Sequence, residues 1–257
     1  MATPRTLTVP NWSIYDPFRE ERWKRLLAPC TVHYAKGDPD HGRTVTAFSG
    51  CWEDVSDSLM RLAEDILPRI DLRTQNGVHP RLGALDVCPF IGPNDAPGFA
   101  SRFTERFGVP TVLYERSAEG RSLPTIRQGN EVAPHPRWGV STVGERGFLI
   151  AMNVDLASSN IAIAKKIARE IRKRREAGEC GFTGVRALAF PLESREIVQV
   201  SMNLTDPDAS APDELLAFIE ERAPVAGTEL VGVIREQDLA RSHRLMVDAP
   251  QIIRTTG

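Results

Sequence analysis

The order in which strand-like and helix-like stretches follow one another constrains this chain more than any other feature. In the second half, residues 148–156 read as a strand and residues 159–176 as a helix with Ile161, Ala164, Ile167, Ala168 and Ile171 on its inner face. Residues 185–191 and 197–204 make a hairpin, residues 213–222 a second helix, and residues 229–234 a last strand. The order is β-α-β-β-α-β, the split βαβ or ferredoxin-like arrangement. The first part of the chain reads the same way. Residues 7–11 form a strand, residues 18–27 a helix with Asp16 as cap and Pro17 as first helical residue, and residues 31–35 and 43–48 a hairpin around the turn-forming cluster 36–42. Residues 52–70 follow as a helix with Val55, Leu59, Leu62, Ile66 and Ile70 inward, which Pro68 ends or kinks; residues 82–87 are a short apolar strand. Asp86 is out of character in that strand, because a carboxylate there needs a partner.

The expected fold class is therefore α+β: two ferredoxin-like (β-α-β-β-α-β) α/β-sandwich subdomains, residues 1–147 and 148–257, each a sheet with helices on one face, with a ligand cleft between them. A chain of 257 residues is long enough for two buried cores. Between the two repeats, residues 99–107 read as a helix, 111–114 as a strand, and 119–139 as a long polar loop of the kind that carries binding residues.

Charge and cysteine usage narrow the function. With 32 Lys and Arg against 34 Asp and Glu, the net charge of −2 draws the chain neither to nucleic acid nor to an anionic membrane. The basic run 165–175 is explained by its apolar stripe as a docked helix with a solvated face. Cys30, Cys51, Cys88 and Cys180 form no CxxC pair and no two histidines share a metal-ligand spacing, so no metal site is expected and reduced, cytoplasmic thiols fit. No apolar run approaches the ~18–20 residues of a membrane span. Small molecules are the expected partners, with a homodimer left open. Glycine-rich phosphate loops and the G-x-S-x-G elbow are absent, which sets aside kinase, dinucleotide-binding and serine-hydrolase chemistry.

The chemistry-bearing stretch is residues 77–90. Pro80 disfavours the α region for the residue before it, so His79 is held extended at a stiff corner, where its imidazole can exchange a proton near neutral pH. Arg81 adds a planar fork of donors suited to a carboxylate. A histidine in a turn is most often a plain polar loop residue; the surrounding motif is what raises its interest. The run His79-Pro80-Arg81-Leu82-Gly83-Ala84-Leu85-Asp86-Val87-Cys88-Pro89-Phe90 resembles the signature of the glutamate formiminotransferase family. The likeness continues through Val9-Pro10-Asn11 with Ser13, Arg43-Thr44-Val45, Leu123-Pro124, Ile126-Arg127, Trp138-Gly139, Gln199-Val200-Ser201 and Leu230-Val231-Gly232.

The resemblance implies a one-carbon transferase that passes a formimino or formyl-type group between an amine-bearing substrate and tetrahydrofolate or a one-carbon derivative of it. It implies His79 as the catalytic acid/base. Arg43, Arg81 and Arg127 are candidates for gripping carboxylates of the folate tail or the donor, and Asn11, Trp138 and Gly139 for the folate site. Trp138 either stacks on a pterin ring or packs the core. Lys36 and His41 of the hairpin turn are the candidates for the substrate.

The chain departs from the family pattern at two positions. Lys36 and Val78 stand where the family has acidic residues, and an imidazole without nearby carboxylates loses proton affinity. Two readings follow. One is an enzyme with a non-standard substrate; the other is a non-catalytic folate-binding or regulatory relative on the same scaffold.

Overall fold

The computed structural model describes residues 5–15, 20–129 and 132–254, and the chain divides into two compact units, Met1–Arg146 and Gly147–Gly257. The predicted cap and first helical residue, Asp16 and Pro17, lie outside the described residues.

The first unit is built on a seven-stranded sheet. Its strands are β1 (Thr6–Thr8), β2 (Asn11–Trp12), β3 (Thr31–Asp38), β4 (Arg43–Gly50), β5 (Leu85–Ile91), β6 (Thr111–Leu113) and β7 (Ser141–Glu145). Between them run α1 (Glu20–Leu27), α2 (Trp52–Ile66), α3 (Ala96–Phe107) and α4 (Leu123–Gln128). β1 and β2 each pair with both β4 and β5, so they act as one interrupted strand in the middle of the sheet. Pro10, which has no N–H to give a ladder, sits at the interruption. β3 closes one side against β4, and β7 lies parallel to both β5 and β6 on the other.

The main core of this unit joins Trp12, Phe48, Leu85 and Phe90 of the sheet to Leu59, Leu62 and Ile66 of α2 and Phe99 and Phe103 of α3. Asp95 caps α3 by accepting from the Gly98 N–H, and Gly108 ends it in the left-handed region at φ +68°. A second, smaller cluster gathers Val87, Val112, Tyr114, Ile126 and Val140. Val112 belongs to it while its neighbour Leu113 packs into the main core, so the two clusters lie on opposite faces of the sheet. Ile126 brings α4 onto the second face. The expectation of helices on one face alone is thus corrected for this unit.

The second unit runs β8 (Ile150–Leu156), α5 (Ile161–Glu176), β9 (Val185–Leu192), β10 (Ile197–Leu204), α6 (Pro212–Glu220) and β11 (Val225–Val231). Its sheet order is β11-β8-β10-β9, with every pair antiparallel. Asn160 caps α5 through the Ala162 N–H, and the stripe Ala164, Ile167, Ala168 and Ile171 is buried against Met152, Val154, Val200 and Met202. The chain then adds β12 (Ile234–Arg235), paired in parallel with β13 (Ile252–Ile253).

Several boundaries differ from the sequence reading. β3 continues through Asp38 because Lys36, Gly37 and Asp38 pair with Val45, Thr44 and Arg43, so the turn is shorter than the 36–42 cluster. α2 stops at Ile66 and a 3-10 turn, Leu67–Arg69, carries Pro68. β5 begins at Leu85, three residues late, because Leu82 and Ala84 bond instead to Val140 and Trp138. The expected final strand 229–234 is divided at Gly232, whose φ is +90°. The long loop 119–139 contains α4, and β7 was not foreseen at all.

Candidate functional site

The site is assembled on the second face of the first sheet, around a break in its register. Asn11 pairs with Val87 but Trp12 pairs with Leu85, so one residue of β5, Asp86, is left over as a bulge. Its side chain is fully buried. It accepts from the Leu82 backbone N–H at 2.6 Å, from Arg43 at 2.6 Å and from Arg127 at 2.9 Å. The partner demanded by a carboxylate in an apolar strand is therefore two arginines, one from β4 and one from α4.

Arg43 is the hub. Beyond Asp86, its Nη1 donates to Asn11 Oδ1 at 3.1 Å and its Nη2 to the Pro80 carbonyl at 3.0 Å. The same carbonyl lies 3.0 Å from His79 Nδ1. A carbonyl can only accept, so the bond places the proton of neutral His79 on Nδ1 and the lone pair on Nε2. Burial holds His79 well below the ordinary histidine range, as does Arg43, with His41 and Arg127 pushing the same way and the Pro80 carbonyl opposing. At pH 7 this shift favours the neutral imidazole. Reduced proton affinity was expected from Lys36 and Val78; burial and Arg43 come first among its causes.

The β3–β4 turn is clamped onto the segment that carries His79. Gly42 has φ +59°, and a Cβ there would run into the carbonyl oxygen of Asn76. The Val78 N–H donates to the Asp40 carbonyl at 3.0 Å. His41, buried and with its backbone N–H held by Asp38 Oδ1 at 2.8 Å, comes within 5.8 Å of His79 between ring centroids. Arg81 reaches back to the His41 carbonyl at 3.4 Å. His79, Arg81, His41, Arg43, Asn11 and Arg127 thus converge from four separate stretches of sequence.

The remaining three candidates sit differently. Lys36 lies on β3 opposite Val45, with an exposed side chain. Trp138 gives its indole N–H to the carbonyls of Leu67 and Ile70 at 2.9 and 3.2 Å, and His135 stacks on its ring at 4.6 Å. That is the packing alternative for Trp138. Gly139, at φ +67°, lets the chain press against Leu82 and Gly83, where a Cβ would strike the Leu82 carbonyl. The loop thereby props the strand that carries Asp86.

Asp86 itself was singled out in the sequence only as an oddity, although a carboxylate in an apolar run was the visible signal. Two donor atoms at the site, Arg81 Nη1 and Arg127 Nε, are buried with no hydrogen-bond partner among the described residues. Buried N–H groups of that kind fit carboxylate oxygens. Among the described residues no group of three or more His, Cys, Asp and Glu is placed to hold a metal ion, and no helix is long and apolar enough to cross a membrane.

Comparison with known proteins shows the family. The profile described as "Formiminotransferase domain, N-terminal subdomain" matches residues 13–134, and that of "Formiminotransferase domain" matches residues 151–253. Glutamate formimidoyltransferase of Thermoplasma acidophilum is 34% identical over 241 residues, 79% of this chain and 77% of the relative. The enzyme of the same name from Streptococcus pyogenes serotype M1 is 32% identical over 225 residues, covering 76% and 74%. Formimidoyltransferase-cyclodeaminase of Sus scrofa is 33% identical over 242 residues, which is 80% of this chain but 44% of that protein. The chain therefore spans less than half the length of the two-activity relatives.

Proposed function

The chain belongs to the formiminotransferase family, and from that premise we propose that it transfers a formimino-type one-carbon group between an amine-bearing donor and tetrahydrofolate. The observation that carries the reading is His79 in a defined tautomer among cations, with unsatisfied arginine donors beside it. When bound, tetrahydrofolate supplies the amine that receives the group. The glutamate part of a folate and an amino-acid donor both bring carboxylates, which Arg81 Nη1 and Arg127 Nε suit.

The reaction forms one C–N bond and breaks another, and a proton must leave the attacking amine and reach the departing one. Neutral His79 takes the first proton at Nε2. The imidazolium then formed lies beside Arg43 and Arg127, which makes it a strong acid toward the leaving nitrogen. One side chain thus serves both halves of the transfer. The alternative of a non-catalytic folate-binding relative is not favoured, since the relatives matched over most of their length are named as formimidoyltransferases and a proton carrier is kept at His79.

We assign both units to the ferredoxin-like arrangement. In the second, the order β11-β8-β10-β9 supports it; in the first, β5, the β1–β2 pair, β4 and β3 repeat that order, with β7 and β6 added beyond β5. A cytoplasmic enzyme belongs to the same reading, in line with four free cysteines, and so does a homodimer, which light scattering reads directly. The function is tested by incubating the protein with formiminoglutamate and tetrahydrofolate and following glutamate and formiminotetrahydrofolate by mass spectrometry. Formation of both in equal amounts is the expected result. Intact reactants with formiminoglutamate and with other formimino amino acids would overturn the proposal.

A further inference from the structure

We propose that Asp86 is a positioning residue which, acting through Arg43 and the Pro80 carbonyl and without touching substrate, fixes both the tautomer and the place of the His79 imidazole. The inference rests on the formimino-transfer reading only for its kinetic consequence; its structural content stands apart from any activity.

The chain of contacts is short. Asp86 Oδ2 holds Arg43 Nη2 at 2.6 Å, the same Nη2 donates to the Pro80 oxygen at 3.0 Å, and that oxygen receives His79 Nδ1 at 3.0 Å. The other carboxylate oxygen of Asp86 is held by the Leu82 N–H, two residues past Pro80 along the chain. The His79–Leu82 segment is therefore gripped from one carboxylate at two points, by its backbone N–H and, through a guanidinium, by its carbonyl. Neither grip is provided by regular secondary structure, because β5 starts only at Leu85.

Without this arrangement the Pro80 carbonyl loses an anchor, and with it the bond that favours Nδ1–H over Nε2–H in neutral His79 is weakened. The wrong tautomer presents a proton where the base needs a lone pair. Arg127 adds a consequence of its own. It shares Asp86 Oδ2 with Arg43, so a neutral residue at 86 leaves the buried Arg43 and the half-buried Arg127 without their shared counter-ion.

The test reads the tautomer directly, by imidazole 15N chemical shifts of the 15N-histidine-labelled protein at neutral pH, with His79 assigned by comparison with His79→Gln. Native protein is expected to show His79 as the Nδ1–H form. Asp86→Asn, which keeps the size and an acceptor for Leu82, is expected to show a mixture of tautomers. It should lower kcat by about 10²-fold, the effect of a reacting group misplaced by ~1 Å, with KM changed far less. Should Asp86→Asn not fold, Arg43→Lys removes the link to Pro80 while leaving a cation for Asp86, and the same mixture is expected. A native Nε2–H tautomer would overturn the proposal. So would a folded Asp86→Asn that keeps a pure Nδ1–H form and native kcat and merely melts at lower temperature. If native protein transfers no formimino group at all, the functional proposal falls while the 15N spectra still decide this one.

Discussion

The carboxylate of Asp86 and the guanidinium of Arg43 meet at 2.6 Å inside the first sheet, both side chains almost entirely out of water. One comes from the bulge in β5 and the other from the start of β4. Their pairing ties the strand behind His79 to the hairpin that carries His41.

Removing one side of such a pair is the most damaging change. Asp86→Ala leaves the buried Arg43 and the half-buried Arg127 without their counter-ion and the Leu82 N–H without its acceptor. Loss of a partner in a buried ion pair costs about 3–5 kcal/mol. Urea unfolding should show it as a lower midpoint; a midpoint within error of native would mean that water already reaches the pair.

The clamp at Gly42 makes a second prediction. Gly42→Ala combines a left-handed φ with a Cβ directed at the Asn76 carbonyl, so it should destabilise by at least the ~1–3 kcal/mol typical of a strained backbone position. The displaced turn should also separate His41 from His79. Unfolding measurements on the variant read the first effect, and chemical-shift changes confined to residues 76–81 would read the second.

The pH dependence of stability has a defined sign. His79 binds a proton less readily in the folded state than in the unfolded chain, where its pKa is about 6.5. Above that value the contribution is complete; as pH falls below it, the unfolded state takes up the proton first and stability is lost down to the depressed folded value. His79→Gln should flatten the stability curve in this acid window. Parallel curves for the two proteins would show that His79 titrates normally.

Much of this architecture was legible from the amino acids, and what was not has physical reasons. The long apolar stripes 161–171 and 55–66 declare their period, and both lie on helices. β7 did not, since Ser141, Thr142 and Gly144 are buried between parallel neighbours and have no alternation to show. α4 is only six residues long and begins with Leu123-Pro124 inside a polar stretch, so no helical stripe could develop. His79, Arg81 and Arg127 were found by type and motif. That Arg43 engages Asp86 could be seen only after the register slip put them side by side.

The arginine donors left unsatisfied at the site predict ligand-linked stability. A reduced folate that binds only the folded protein should add about 2.7 kcal/mol at 100 times its dissociation constant, seen as a rise in melting temperature. Arg81→Lys and Arg127→Lys should each weaken that rise, because an ammonium cannot reproduce a fork of donors. An unchanged melting temperature at saturating tetrahydrofolate would remove the folate from the account.

The most direct test of the central claim is the turnover of His79→Ala measured beside its folate affinity. The substitution leaves Pro80, Arg43 and Asp86 in place, so calorimetry should give a dissociation constant close to native. Formimino transfer should fall by about 10²–10⁴-fold, as when a general acid/base is lost. Full turnover with unchanged folate binding would contradict the account and locate the proton transfer on another residue.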